Sequence, residues 1–100
     1  MDPDLPDLTI ADVVISNAGR DAGKLFYVLE ADAEFLILAN GKDRRIEKPK
    51  RKKRKHTNKV LRSETRVADK LRLGDKVLNS ELRKDLAYIG RELQSNNLGG

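Results

Sequence analysis

Short apolar stretches separated by turn residues fill the first two thirds of the chain. In "ADVVIS" the strand period places Val13 and Ile15 on one face and Val14 on the other, while "LFYVLEA" and "FLILA" are almost continuously apolar, as in strands that are covered on both faces. The turn-forming sequences "ADAE" and "NGKD" follow the second and third stretches. With two weaker stretches added, the pattern predicts five strands, at residues 11–16, 25–31, 35–39, 43–47 and 57–61.

The hydrophobic period changes to that of helices in the last third. Residues 64–72 place three apolar side chains on one helical face, with Ser63 as the predicted N-cap and Gly74 as the stop. A second helix is expected to begin at Asn79 or Ser80. Its apolar stripe, which we expect to dock on the strands or on another subunit, consists of Leu82, Leu86, Ile89 and Leu93.

These elements predict a mainly-β fold. The strand spacing with short turns favours a small antiparallel β-barrel over βαβ units, and the helices form a C-terminal extension. We expect residues 50–56 to be mobile because adjacent cations repel one another. The predicted organisation is a disordered acidic arm at residues 1–8, a barrel at 9–62 with a basic loop at 42–56, a helical extension at 63–94 and a disordered tail at 95–100.

Composition narrows the class of protein. The chain has 100 residues, enough for one small domain, and no cysteine, which excludes disulfides, thiolate zinc sites and cysteine nucleophiles. No apolar run is long enough to predict a signal peptide or a membrane span. We therefore expect a cytoplasmic protein with no membrane partner.

Positive charge is concentrated in one segment. The net charge is +5, yet residues 42–55 hold ten Lys/Arg against two acidic residues, which gives that segment +8 and the remainder −3. Such a concentration favours a polyanion as partner. The alternative is a solvated run of lysines that only aids solubility.

The loop "NAGRDAGK" between the first two strands is a second candidate site. Gly19 and Gly23 would let backbone N–H groups face outward, and Arg20 and Lys24 add positive charge, a combination that suits phosphate oxygens. Asp21 is expected to form the turn by accepting hydrogen bonds from nearby amides. The alternative is that the glycines only let the chain reverse.

Catalytic chemistry finds little support in the sequence. The single histidine, His56, lies in the basic run without a carboxylate or metal-ligand companion at useful spacing, and no nucleotide-binding or nucleophile-elbow motif occurs. We expect no enzymatic activity, cofactor, bound metal or small-molecule substrate.

Three motifs in order, "AGRDAGK", "NGKDRRIEKPK" and a basic run that leads to "KH", resemble a KOW domain over residues 11–61. The stretch is similar to small bacterial RNA-binding proteins related to a large-subunit ribosomal protein of archaea and eukaryotes, and "GDKVLNSELRKDLAYIGREL" resembles their helical tail. One departure is "AD" at residues 11–12, where many relatives have Gly before the first strand's valine.

The resemblance implies an SH3-like barrel that binds structured ribosomal RNA, on the ribosome or its precursors, through its first inter-strand loop and its basic elements. Gly23 matches the best-kept glycine of the motif, and Arg20, Asp21 and Lys24 match its loop positions. Few aromatic residues are present, and Phe26 and Phe35 are expected in the core, so backbone phosphates would supply most of the recognition.

The candidate RNA-binding residues combine the loop with the basic segment: Arg20, Gly23, Lys24, Lys42, Arg44, Arg45, Lys48, Lys50, Arg51, Lys52, Lys53, Arg54, Lys55 and His56. Ribosomal RNA, with ribosomal proteins beside it, is the expected partner. The rival hypothesis is a protein-interaction module of a transcription or translation complex, the use that antitermination factors make of KOW domains. In that case the helical stripe would dock on the partner.

Overall fold

Five antiparallel strands and two C-terminal helices make up the fold, which a computed structural model describes for residues 8–99 and, for side chains, up to residue 95. The elements are β1 (Asp12–Ser16), β2 (Leu25–Ala31), β3 (Phe35–Ala39), β4 (Lys50–Lys53), β5 (Thr57–Arg62), α1 (Arg66–Leu73) and α2 (Asn79–Gly99). The strands form one sheet in the order β4-β3-β2-β1-β5, so β4 and β5 occupy its two edges. A five-stranded antiparallel sheet followed by helices confirms the coarse fold prediction.

Four of the five strands lie where the sequence predicts them. The bounds of β2 and β3 agree with the prediction, and β5 extends one residue further, to Arg62. β1 begins at Asp12 because Ala11 has a φ of +69°, in the left-handed region that favours glycine and interrupts a strand. Ala11 therefore occupies a backbone position that suits glycine better than alanine.

The fourth strand lies elsewhere than predicted. Residues 43–47 form bends and a turn, and Ile46 still packs partly buried against the core. The edge strand is instead β4, inside the segment we expected to be a mobile loop, and a short 3-10 turn, Arg54–His56, connects it to β5. The prediction was wrong because β4 pairs with β3 over four residues and two of its lysines find oxygen acceptors inside the protein.

Both faces of the sheet are covered by apolar side chains. One face packs against the helices: Val13, Tyr27 and Ala39 contact a cluster that includes Leu82, Leu86 and Ile89. The other face holds a second cluster, made of Leu8, Val14, Phe26, Val28, Leu36 and Leu38. The apolar stripe of α2 therefore docks on the chain's own sheet, one of the two arrangements that the sequence allowed.

A buried polar network fixes the helices to the sheet. Tyr27, at the centre of the sheet, bonds through its hydroxyl to the Asp85 carboxylate of α2 and, at 2.8 Å, to the Ser63 hydroxyl. Burial, and then the hydrogen bond to Asp85, raises the pKa of Tyr27 to about 12. The N-cap of α1 is Thr65, where the sequence predicted Ser63; the Thr65 Oγ1 accepts from the Ala68 N–H at 3.2 Å and donates to the Asp85 carboxylate at 2.8 Å, so the cap is part of the same network.

The predicted ends of the chain need two corrections. Residues 1–7 of the predicted acidic arm lie outside the described residues, while Leu8 is buried at 6% exposure. α2 continues to Gly99, so the backbone of residues 95–99 is helical where a disordered tail was predicted. Between residues 8 and 99, neither helix combines the length and the hydropathy that a membrane crossing requires.

Candidate nucleic-acid interface

The edge strand β4 presents its basic side chains on both faces of the sheet. Paired residues of an antiparallel ladder share a face. Lys50 and Lys52 pair with Leu38 and Leu36, so they lie on the face of the Phe26 cluster. Arg51 and Lys53 pair with Ile37 and Phe35 on the opposite face. The basic run is thus sorted by the strand period into two pairs with different surroundings.

Lys50 is engaged inside the protein. Its Nζ bonds to the carboxylate of Asp21, a residue that is 5% exposed in the loop between β1 and β2. The hydrogen bond from Lys50 is the largest influence holding the pKa of Asp21 below its ordinary value, against the opposing effect of burial. Asp21 therefore neutralises a basic-run lysine, where the sequence predicted a turn-forming carboxylate bonded to nearby amides.

Lys52 is engaged in the same way. It is 7% exposed, and its Nζ donates to the backbone carbonyl oxygen of Ala18 at 2.8 Å. Burial, followed by the positive charge of Lys50, lowers its pKa from the usual lysine value. Lys50 and Lys52 together tie β4 to the loop at residues 17–24.

The loop at residues 17–24 satisfies much of its own backbone. Gly19 and Gly23 have φ values of +74° and +87°, which explains the need for glycine at both positions. The N–H of Gly23 donates to the Ser16 carbonyl at 2.8 Å, and the N–H of Lys24 donates to the Asp21 carbonyl at 2.9 Å. At Gly23, the expectation of an outward-facing amide was wrong, and the glycine serves the shape of the loop.

Four contacts bring separate segments onto one surface. The Lys24 ammonium pairs with Asp43 at 3.1 Å, which joins the loop to the turn at residues 40–44. The Asn17 N–H donates to the His56 carbonyl at 2.9 Å, and the Lys50 and Lys52 contacts attach β4. We call these segments together the basic surface: residues 17–24, residues 40–44, β4 and the 3-10 turn Arg54–His56.

A shallow concavity lies where the loop meets β4. It has a volume of about 400 Å³, and Ala18, Gly19, Lys52, Lys53 and His56 are among the residues that line it. A Cβ at Gly19 would lie 4.0 Å from the Lys52 Nζ, so the loop backbone lies directly beside this lysine. The glycine loop and the basic run, which the sequence indicated as two separate candidate sites, therefore line the same concavity.

The predicted site residues divide into two groups. Five have a polar partner in the protein or form the loop backbone: Gly23, Lys24, Lys50, Lys52 and Arg54, whose guanidinium donates to the Asp32 carbonyl at 2.7 Å. His56 is half-buried. The rest have no ion pair with any described residue and are exposed, or half-buried for Arg44: Arg20, Lys42, Arg44, Arg45, Lys48, Arg51, Lys53 and Lys55.

Phe35 is the residue whose role the sequence analysis missed. It is half-buried outside the core, and the guanidinium carbon of Arg51 lies 3.5 Å from its ring centroid. The alternation of side chains along a strand could have predicted this position, because Leu36 and Leu38 lie on the face of the Phe26 cluster and Phe35 must therefore lie on the opposite face. An aromatic ring and a basic residue of the run therefore form a contact that charge alone did not predict.

The side chains described offer no obvious metal site, since residues 8–95 contain no group of three or more His, Cys, Asp or Glu that could hold an ion. Comparison with known proteins does not assign the chain to a family. Neither a protein-family model nor a curated protein matches the sequence. The geometry of the basic surface is therefore the basis for assigning a function.

Proposed function

We propose that this protein binds structured RNA without catalysing a reaction, and that ribosomal RNA, on the ribosome or on its precursors, is the ligand. In this proposal the sheet is an SH3-like barrel of the KOW type, and the chain is related to the small bacterial RNA-binding proteins that its motifs resemble. The basic surface contacts the RNA, chiefly through backbone phosphates.

The observation that carries the proposal is the convergence of three segments, separated in sequence, on one surface rich in unpaired positive charge. The ion pairs Lys24–Asp43 and Lys50–Asp21 hold the segments together. Six exposed or half-buried Lys and Arg side chains of this surface that have no ion pair with a described residue then remain available for an anion: Arg20, Lys42, Arg44, Arg51, Lys53 and Lys55. Ordinary solvated surfaces interleave charges of both signs, whereas β4 and the turn that follows it contain no acidic residue.

Proximity to a fixed lysine also supports phosphate binding over a merely solubilising role. Lys52 is immobilised by its contact with the Ala18 carbonyl, so it contributes positive potential without losing side-chain entropy when a ligand binds. The exposed cations around it supply direct contacts. A rigid charged platform with mobile charges at its rim suits the irregular backbone of a folded RNA.

The rival hypothesis loses the feature on which it rested. A protein-interaction module would use the apolar stripe of α2, but Leu82, Leu86 and Ile89 are buried against the sheet at 7% exposure or less. No other observation favours that function over RNA binding, so we propose only the latter.

A salt titration tests the proposal. If the six unpaired cations of the basic surface meet phosphates, the logarithm of the affinity for a ribosomal RNA fragment should fall with the logarithm of the salt concentration, with a slope of about −4. Replacing Lys42, Lys53 and Lys55 by Ala should flatten that slope by about two units and weaken all RNAs alike.

The matched control is a triple replacement of exposed lysines and arginine outside the basic surface, at Lys76, Lys84 and Arg91. It removes the same formal charge and should change the slope by much less. A slope near zero for the parent protein would refute RNA binding through phosphates. Equal effects of the two triple variants would refute the location of the interface. Thermal melts of every variant establish that it is folded.

A further inference from the structure

The contact between Phe35 and Arg51 borders two depressions, because both residues line the basic-surface concavity and also a second groove with a volume of about 590 Å³. The apolar lining of this groove includes Ile10 and Ile37. Ile10 is one of the few large apolar side chains that are exposed among the described residues, at 37%. A groove lined by apolar side chains, an aromatic ring and a guanidinium suits a flat, partly polar occupant.

Arg51 has the geometry of a stacking platform. Its guanidinium carbon lies 3.5 Å from the centroid of the Phe35 ring, so one side of the guanidinium rests against the aromatic face. The side chain is exposed and has no ion pair with any described residue. The other side of the guanidinium is therefore open, and arginine planes are surfaces on which unpaired RNA bases stack.

The acidic residues of the groove argue against a phosphate as its occupant. Glu30 and Asp32 both line it, and their negative charge repels an anion. One Asp32 oxygen accepts the N–H groups of Glu34 and Phe35 at 2.8 and 2.7 Å, which leaves the second oxygen without those bonds. Carboxylates are acceptor-only groups, so they suit the N–H donors of a nucleobase, and an exocyclic amine offers two such hydrogens where a ring N–H offers one.

We propose that this groove holds an unpaired RNA base that carries an exocyclic amino group, stacked on Arg51, while its flanking phosphates meet Lys53. The inference rests on the proposed RNA binding and adds a base contact to it. Lys53 pairs with Phe35 on the same face of the sheet, two residues from Arg51, so a strand whose base enters the groove passes this cation. The contact selects single-stranded or bulged nucleotides within the folded RNA.

The test uses short single-stranded RNAs that contain 2-aminopurine, whose fluorescence falls when it stacks. The protein has no tryptophan, so its own emission interferes little. Binding by the parent protein should quench the probe. Arg51→Lys keeps the charge and removes the plane, so it should abolish the quenching and weaken binding about five- to tenfold, with the salt slope unchanged. Arg91→Lys makes the same change at an exposed arginine outside the basic surface, and should alter neither quantity.

Two matched ligands complete the experiment. An oligonucleotide with an abasic site in place of the probe keeps every phosphate, and the parent should bind it no better than Arg51→Lys binds the intact strand. Oligo(A) should bind the parent more tightly than oligo(U) of equal length, because uracil has no exocyclic amine. Undiminished quenching by Arg51→Lys, or equal binding of oligo(A) and oligo(U), would overturn the inference while salt-dependent binding persists. Absence of binding by the parent to any RNA would instead remove the proposed function.

Discussion

Asp21→Asn should destabilise the protein and strengthen its binding to RNA. The Asp21 carboxylate is the internal partner of Lys50, and the charges of Lys52 and Arg44 lie near enough to depress its pKa further. Asparagine keeps the volume of the side chain and can still accept a hydrogen bond, so no cavity forms. What the variant removes is one negative charge surrounded by three positive ones.

The degree of burial sets the size of the effect. Breaking a fully buried ion pair costs about 3–5 kcal/mol, whereas losing a surface pair costs about 0–1 kcal/mol. The side chain of Asp21 is 7% exposed and that of Lys50 is 25% exposed, so the lysine can partly turn to water. We expect a loss of about 2 kcal/mol at neutral pH, which lowers the Tm of a domain of this size by about 10 °C.

Acid should reduce this difference between the variant and the parent. A carboxylate whose pKa is lower in the folded than in the unfolded protein contributes stability above its unfolded pKa, and that contribution disappears as the pH falls through the folded pKa. For Asp21 the folded pKa lies below the ordinary value of 3.8. Urea unfolding at about pH 6 and about pH 2 should therefore show a difference in stability that is smaller at the second pH than at the first.

The binding assay is the salt titration with an RNA fragment. Freed from Asp21, Lys50 can meet a phosphate, so the affinity should rise and the slope should steepen by up to about one unit. Asp75→Asn makes the same formal charge change at an exposed residue, and its free energy of unfolding should stay within about 0.5 kcal/mol of the parent's. Equal melting temperatures of the two variants, or a deficit of Asp21→Asn that persists undiminished in strong acid, would refute the reasoning.

Three further substitutions test the packing. Gly41→Ala should cost more than Gly74→Ala, because both glycines have a positive φ but only a Cβ at Gly41 would overlap the Asn79 carbonyl; equal melting temperatures would contradict this. Leu86→Asp should cost about 3–5 kcal/mol in urea unfolding, since Leu86 is 7% exposed in the core, and an unchanged midpoint would mean that α2 does not dock. Tyr27→Phe should cost about 1–3 kcal/mol, because it removes the buried hydrogen bonds of the hydroxyl with Asp85 and Ser63; circular dichroism melts are the measurement.

The local sequence was sufficient to predict the bounds of a strand where an apolar run is flanked by turn-forming residues. The bounds of β2 and β3 follow from uninterrupted apolar runs that end at turn residues, so no distant information was needed. β4 is the opposite case. Its four basic residues predict a solvated loop. The Asp21 carboxylate, which neutralises the partly buried Lys50, lies 29 positions earlier in the chain. A contact of that range is invisible to periodicity and composition.

The same limit applies to the site. The concentration of charge located the basic surface, but charge alone does not tell an exposed cation from one that a carbonyl or carboxylate inside the protein has already engaged. Lys52 and Lys53 are adjacent and chemically identical, yet one is 7% exposed and the other lies on the open face. The N-cap of α1 shows the limit on a smaller scale, since Ser63 and Thr65 are both suitable cap residues and the sequence does not tell that the helix begins after Thr65.

The position of β4 has a consequence for the behaviour of the protein at high concentration. An edge strand presents unpaired backbone N–H and C=O groups to which another copy of the chain could add a strand, and proteins prevent this with charged side chains, above all lysine, and with charges that point inward. β4 has both devices, because every residue is Lys or Arg and Lys52 is buried. The composition of this strand therefore also guards the sheet against edge-to-edge aggregation. Variants that replace these cations with apolar residues would be expected to form fibrils or precipitates before any loss of fold becomes visible.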